Sequence, residues 1–194
     1  MNENISRTIT VDAVKTANPA PIGLIGFGMT TVLLNIHNAG FFALDTSIMA
    51  MGITIGGIAQ IIAGAMEWKK NNTFGTVAFT AYGFFWLSLV LLLVMPKLGL
   101  GAAASPLSMG FYLTLWGIFT AGMFACTFKL SKISRLVFGS LLLLFALLAI
   151  SDFTGNHTIK VIAGFEGILC GALAMYDAIA QVINEVYDRT VLPL

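Results

Sequence analysis

The chain has 194 residues, of which 58% are hydrophobic and only 10% are charged, and its formal net charge is +1. A soluble globular domain carries roughly 25% charged residues. With a mean hydropathy of +0.91, this composition excludes an ordinary water-soluble domain. The net charge implies nothing about nucleic acid, and we predict no nucleic-acid partner. We therefore predict an all-α integral membrane protein.

Six apolar runs follow one another along the chain, separated by short polar breaks. A bilayer core needs about 20 apolar residues per helix, so six spans leave no room for an extramembrane domain. We place the spans at about 21–40, 46–67, 74–95, 106–128, 135–153 and 160–184. The predicted organisation is a polar N-terminal segment over 1–17, a transmembrane domain over 18–185 and a tail over 186–194.

The distribution of Lys and Arg predicts the orientation in the membrane. Residues 1–17 lack the apolar stretch of a cleavable signal peptide and suit a segment on the membrane surface. Of the ten Lys and Arg residues, only Lys97 and Lys160 lie on one side, and the other eight lie on the side of the termini. The positive-inside rule then places both termini in the cytoplasm, in a plasma or inner membrane. An even number of spans requires the same arrangement.

The first span is unusually rich in polar residues and glycine. At about 100° per residue, Phe27, Thr31 and Asn38 share one face, with Thr30 and Asn35 beside them. Polar side chains in hydrocarbon are costly unless they meet partners or water. They either line a pore or bond to neighbouring helices, and their gathering on one face favours the pore. At the start of the span, Asn18 is suited to cap the helix.

Two further spans carry candidates for the same pathway. Gln60 lies in the middle of the second span, where pore lining and an interhelical hydrogen bond are equally good interpretations. Glu67, beside Lys69 and Lys70, is interpreted as a solvated charge at the cytoplasmic surface. In the third span the Tyr82 hydroxyl needs a partner, and across a pore from Phe27 it would form a narrow gate.

The sixth span carries two carboxylates within the membrane. Glu166 and Asp177 share a stripe about 60° wide with Cys170 and Gln181. Intramembrane carboxylates are candidates for proton relays. The alternative is that each is hydrated or hydrogen-bonded near one membrane surface. The cysteines of the chain fall inside spans and indicate neither a disulfide framework nor a metal site.

Small residues recur at the spacing that allows membrane helices to approach closely. Gly52 and Gly56 form one GxxxG pattern, and Gly167 and Gly171 form another. Because lipid gives helices no hydrophobic reason to associate, packing relies on such small residues. We expect most of these glycines to pack helices within one subunit.

Several familiar constellations are absent from the sequence. It contains no phosphate-binding loop, HExxH helix or nucleophile elbow, so we predict no enzyme, no cofactor and no metal. No Lys or Arg lies deep in a span. An anion crossing the bundle would rely on amides, hydroxyls and helix N-termini, or would cross with a proton. Small carboxylic acids, with a pKa near ~4.3, are suited to the second route.

Specific motifs resemble those of a known family. They are NPAPIGL at 18–24 and YGFFW at 82–86, with GFGMTT at 26–31 and RTVLP at 189–193. The chain resembles the acetate uptake transporter family, also called the succinate–acetate permease family. The resemblance implies six helices per protomer, a ring-shaped hexamer and a path for acetate through each protomer. It also implies a hydrophobic constriction of Phe27, Tyr82 and Leu141.

These observations predict membrane transport of acetate, with succinate and other short carboxylates as further substrates. Transport would be proton-coupled or passive, and the partners would be acetate, protons, membrane lipid and further copies of the chain. An unselective channel for small solutes and an acetate sensor that does not transport are the alternatives.

Overall fold

The computed structural model describes residues 16–194, and this part of the chain is all-helical. It contains six helices long and apolar enough to cross a membrane, which confirms the predicted fold class. The helices are α1 (Ala20–Asn38), α2 (Thr46–Lys69), α3 (Thr73–Leu98), α4 (Pro106–Thr127), α5 (Lys132–Thr154) and α6 (His157–Val186). The predicted segment over 1–17 lies almost entirely outside the described residues.

Two helices depart from regular α geometry. Residues Gly52–Ala59 of α2 form a π-helix, and α3 ends in a short 3₁₀ segment at Met95–Leu98. π-Helical segments within α-helices are found frequently at functional sites. The π segment ends directly before Gln60, one of the predicted pathway residues.

Polar side chains cap the helices that follow the short breaks. Asp45 caps α2, and hydrogen bonds from the side chain and backbone of Ser47 lower the pKa of its carboxyl group. Asn72, Ser131 and Asn156 cap α3, α5 and α6 in the same way. These caps accept hydrogen bonds from N–H groups that have no partner within the helix.

The N-cap residue of the first helix differs from the prediction by one position. Pro19 occupies the N-cap position and Pro21 lies in the first turn. Asn18 still accepts a hydrogen bond from the backbone N–H of Ala20 (3.1 Å), so it binds the start of α1 from one position earlier.

The first and last helices pack closely along their lengths. A Cβ atom on Gly28 would lie 2.7 Å from the carbonyl oxygen of Gly171, and one on Gly171 would lie 2.6 Å from that of Gly28. Gly167 leaves room for the side chain of Asn35, and Gly52 and Gly56 face Trp86 of α3. The predicted packing of these glycines within one subunit is therefore confirmed.

Large apolar side chains remain exposed around the outside of the bundle. They occur on all six helices, for example Ile22, Ile62, Leu91, Leu115, Leu143 and Leu169. Such a surface is suited to lipid rather than to water. The chain is a multi-pass membrane protein.

Candidate functional site

A cavity of about 520 Å³ lies within the bundle. Its mouth is at the end where α1, α3 and α5 begin and α6 ends, because Asn18, Asn72, Ser131 and Asn184 all line it. Toward its other end the lining comes from residues inside the spans. The cavity therefore reaches from one end of the bundle into its interior.

Phe27, Tyr82 and Leu141 all line this cavity in the interior of the bundle. The three side chains are buried, and the ring centroids of Phe27 and Tyr82 lie 6.0 Å apart. The Tyr82 hydroxyl donates to Oγ1 of Thr120 (2.8 Å), because the Thr120 hydroxyl itself donates to the carbonyl of Trp116. The structure thus brings the three predicted constriction residues together, and their role as a constriction stays a prediction.

Gln60 lines the same cavity from α2. It is only 1% exposed, and its Oε1 atom has no hydrogen-bond partner within residues 16–194. A buried amide without a partner costs free energy of about 1–3 kcal/mol. A solute or water molecule in the cavity would supply the missing bond, which favours the pore-lining interpretation.

Three helix N-termini meet at the mouth of the cavity. Asn18 binds the first N–H of α1, Asn72 accepts from Gly75 N in α3 (3.0 Å), and Ser131 accepts from Ser134 N in α5 (3.1 Å). The N-terminal ends of helices carry partial positive charge and attract anions. The cavity lining drawn from residues 16–194 includes no Lys or Arg. Helix dipoles and polar caps are therefore the groups at this mouth that favour an anion.

Asp177 faces the same space and belongs to a hydrogen-bonded chain that joins α6 to α1. It is 2% exposed. Its Oδ1 accepts from Nε2 of Gln181 (2.8 Å), and Oε1 of Gln181 accepts from Nδ2 of Asn18 (2.8 Å). Asn18 is bound in turn to the first N–H of α1. The carboxylate therefore lies in the interior and still connects to the mouth through two amides.

Glu166, the second predicted relay residue, does not line the cavity. It accepts a hydrogen bond from the Ser140 hydroxyl on α5, while its Oε2 atom is buried without a partner within the described part of the chain. Eleven residues separate it from Asp177, which is about 16 Å along a helix. Ser140 directly precedes Leu141 in the chain. Glu166 therefore lies far from Asp177 and near the level of Leu141.

The predicted polar face of α1 also lies outside the cavity. Thr30 donates to the carbonyl of Gly26 (2.8 Å), and Asn35 donates to the carbonyl of Thr31 (2.9 Å) and accepts from Asn38 (3.0 Å). The Oγ1 atom of Thr31 is buried without a partner among the residues described. These four residues make contacts within α1 or between helices, and pore lining by them stays a prediction.

Glu67 differs from its interpretation as a solvated surface charge. It is 2% exposed. Its Oε2 atom accepts from Nδ2 of Asn72 (2.8 Å), and its backbone carbonyl accepts from Asn72 N (3.1 Å). The short break between α2 and α3 folds over the carboxylate, which instead fixes the Asn72 cap at the cavity mouth.

Sequence reasoning missed several residues that line the mouth, among them Asn72, Ser131, Ser134, Gln181 and Asn184. Asn72 and Ser131 stand a few residues before the apolar runs at 74–95 and 135–153, and this N-cap pattern is a usable signal. Gln181 lies on the stripe already noted for α6. No cluster of His, Cys, Asp or Glu suited to a metal ion occurs within residues 16–194, and both cysteines are free.

The family of the chain follows from its similarity to known sequences. The sequence profile described as the GPR1/FUN34/yaaH family matches residues 3–193. The chain belongs to the GPR1/FUN34/yaaH family. The resemblance predicted from the motifs is therefore confirmed, and it extends over almost the entire chain.

Within the GPR1/FUN34/yaaH family, bacterial and fungal relatives are similar to this chain. The succinate-acetate/proton symporter SatP of Escherichia coli (strain K12) is 58% identical over 180 residues, covering 93% of this chain and 96% of that protein. A solved structure of the bacterial acetate channel SatP matches with a TM-score of 0.92 at 58% identity, covering 93% of this chain and 99% of that one. Acetate permease A of Emericella nidulans is 32% identical over 204 residues, covering 95% of this chain and 68% of that protein.

Proposed function

We propose that this chain moves acetate, and with it succinate and other short carboxylates, across the membrane through the cavity of each protomer. The observation that carries the proposal is the meeting of three helix N-termini at the mouth of a cavity that leads to Phe27, Tyr82 and Leu141. The similar proteins from bacteria and fungi are named as a succinate-acetate/proton symporter, an acetate channel and an acetate permease. Because these relatives are named as a symporter, a channel and a permease, we infer transport rather than catalysis.

The lining of the cavity suits a small carboxylate. The polar groups at the mouth surround the space that its carboxylate group would occupy, and the helix dipoles stabilise the negative charge. The methyl group of acetate would pass between the apolar side chains farther in. Because no Lys or Arg lines the described cavity, the anion would not be held so tightly that it could not leave.

We further propose that protons accompany the substrate. An ionised Asp177 would repel an anion that enters the cavity, whereas a protonated Asp177 would not. Binding of a proton there would therefore favour binding of the carboxylate. Glu166, near the level of Leu141, is the candidate for the next step of a relay.

We also propose how the protomers assemble and how they are oriented in the membrane. The family resemblance supports a ring-shaped hexamer surrounded by lipid, with a separate path in each protomer. The excess of Lys and Arg at the end where the cavity opens supports a cytoplasmic location for this mouth and for both termini.

Transport by purified protein in liposomes is the direct test. We expect saturable uptake of labelled acetate above that of protein-free liposomes. Leu141→Trp should fill the cavity and abolish uptake, whereas Leu143→Trp, on the same helix but half exposed toward lipid, should leave it unchanged. Uptake no greater than in protein-free liposomes would contradict transport and would favour a sensor.

An unselective channel for small neutral solutes is the second candidate, favoured by the lack of Lys and Arg in the described lining. The same liposomes separate the two functions. A selective carboxylate pathway should saturate with acetate and exclude formamide and glycerol. Unsaturable flux, with formamide and glycerol passing as readily as acetate, would establish the unselective channel.

A further inference from the structure

The chain turns back toward the cavity after α6 ends. Asp188, with a φ of 49°, adopts the left-handed conformation of a tight turn. Residues 191–194, which we call the strap, then run back beside α6 without forming a helix or a strand. Leu194 of the strap lines the cavity together with Asn184 and Glu185 of α6. The strap therefore lies at the mouth of the cavity.

Two side chains of α6 hold the strap by its backbone. Oδ1 of Asn184 accepts from the N–H groups of Val191 (2.7 Å) and Leu192 (2.9 Å), and its Nδ2 donates to the carbonyl of Leu192 (2.8 Å). The Tyr176 hydroxyl donates to the carbonyl of Pro193 (2.9 Å). Because these bonds use only backbone atoms of the strap, the Leu194 side chain is not needed to hold it.

Hydrogen bonds position the strap, but its side chains are only partly buried. Val191 is 43% exposed and Leu194 is 40% exposed, so neither strap side chain is fully buried against the bundle. Hydrogen bonds that exchange with water add little net stability each, and segments with few buried apolar contacts open locally at low cost. The strap can therefore leave the mouth while α6 stays folded.

We propose that the strap is a gate at the mouth of the cavity, and that the Leu194 side chain sets the size of carboxylate that enters there. Phe27, Tyr82 and Leu141 lie at the interior end, so the cavity becomes a chamber bounded at both ends. This inference rests on the proposed function, because a size limit for carboxylates has meaning only if carboxylates pass.

The first experiment measures access to the chamber and needs no transport. A thiol introduced by Ala78→Cys would report on the buried lining, in a Cys126→Ser background and with a membrane-impermeant maleimide as probe. The same background without Ala78→Cys measures any labelling of Cys170. Breaking the Asn184 bonds by Asn184→Ala should accelerate labelling by about tenfold or more. Tyr176→Phe, which removes one bond, should accelerate it less.

A matched control lies on the same helix. Val186→Ala changes a side chain that is 75% exposed and makes no bond to the strap, so labelling should keep the rate of the parent protein. Equal labelling rates in Asn184→Ala, Tyr176→Phe and the parent would overturn the gate, whether or not the protein moves acetate.

The second experiment measures the size limit in liposomes as the ratio of succinate to acetate uptake. Leu194→Ala should raise this ratio several-fold and Leu194→Trp should lower it, while neither substitution touches the backbone bonds of the strap. Val191→Ala, in the strap but away from the cavity lining, should leave the ratio unchanged. An unchanged ratio in both Leu194 variants would refute the role of Leu194. Absence of acetate uptake by the parent protein would instead refute the proposed function, and the labelling result would stand by itself.

Discussion

Phe27 and Tyr82 approach each other from different helices, and only one of the two rings carries a polar atom. That atom is bound to Thr120, so both rings present apolar faces to the cavity. The motif resemblance predicted these residues and Leu141, and the structure places all three around one space. It also places Gln60, Asn18 and Asp177 there. Polar side chains within apolar spans are therefore a signal that the sequence itself provides.

Truncation of the aromatic side chains should relax the size selectivity of uptake. Phe27→Ala and Tyr82→Ala each remove a ring from the interior end of the cavity, so we expect the ratio of lactate to acetate uptake to rise several-fold. Tyr82→Phe keeps the ring and loses only its hydrogen bond, at a cost of about 1 kcal/mol in stability, and it should keep the selectivity of the parent. A lactate-to-acetate ratio unaltered in both Ala variants would count against a constriction.

Replacement of Asp177 or Glu166 by the corresponding neutral amide should weaken the pH dependence of acetate uptake. Asp177→Asn and Glu166→Gln preserve shape and the hydrogen bonds accepted from Gln181 and Ser140, yet the new amides cannot bind the transported proton. We expect uptake to lose its stimulation by an imposed pH gradient. The measurement is acetate uptake into proteoliposomes with and without that gradient. If the gradient stimulates uptake by both variants as much as by the parent, the two carboxylates have only a structural role.

At the scale of single helices, the structure differs most from the sequence-based prediction in α1. The spacing of its polar residues predicts that they gather toward one face, but a helical wheel does not reveal what that face meets. Gly167 of α6 opens a space that Asn35 fills, so much of the polar face packs against a helix more than 100 positions away in the chain. Single-sequence patterns contain no information about such a distant partner. Glu67 was misinterpreted for a similar reason, because the fold of the following loop decides its burial.

The close contact between α1 and α6 should not tolerate a methyl group. Gly28→Ala and Gly171→Ala each place Cβ within 3.0 Å of a backbone carbonyl oxygen, so the helices must move apart at a cost of about 1–3 kcal/mol. Gly122→Ala is the control, since a Cβ there meets nothing within 4 Å and should not destabilise the helix. Thermal unfolding of the purified variants in detergent measures the difference, and equal stability of all three would contradict the packing.

Removal of a helix cap should affect transport only where the cap faces the cavity. Asn72→Ala and Ser105→Ala each delete an N-cap hydrogen bond and should cost about 1 kcal/mol of stability. Asn72 also binds Glu67 and lines the cavity, whereas Ser105 is exposed at the start of α4. We expect a raised KM for acetate in Asn72→Ala alone. Equal KM values for both variants and the parent would exclude the cap from substrate binding.

At the scale of the whole molecule, the six spans and their apolar surfaces are predictable from the apolar runs of the sequence. Hydrocarbon forces every span to satisfy its own backbone, so hydropathy and length are enough to find the helices. The cavity was less predictable, because it depends on how helices distant in the chain meet. Short breaks showed where helices begin, but only the assembled bundle shows that three of those beginnings surround one mouth.

The predicted orientation can be measured with single cysteines in a Cys126→Ser background. Lys69→Cys and Lys97→Cys place exposed thiols at the last turns of α2 and α3, at opposite ends of the bundle. In intact cells an impermeant maleimide should label Lys97→Cys and not Lys69→Cys, and in inside-out vesicles the pattern should reverse. The opposite labelling pattern would invert the topology and place the cavity mouth outside the cell.

The contact between α1 and α6 also has a consequence for biosynthesis. A ribosome makes α1 first and α6 last, and chains insert into the membrane in that order. Until α6 emerges, Asn35 lacks the groove beside Gly167, and Asp177 is not yet present to complete the chain of amides to Asn18. The cavity therefore forms only at the end of synthesis. The substrate pathway is therefore complete only when α6, which supplies Asp177, Gln181 and Asn184 to its lining, has been made.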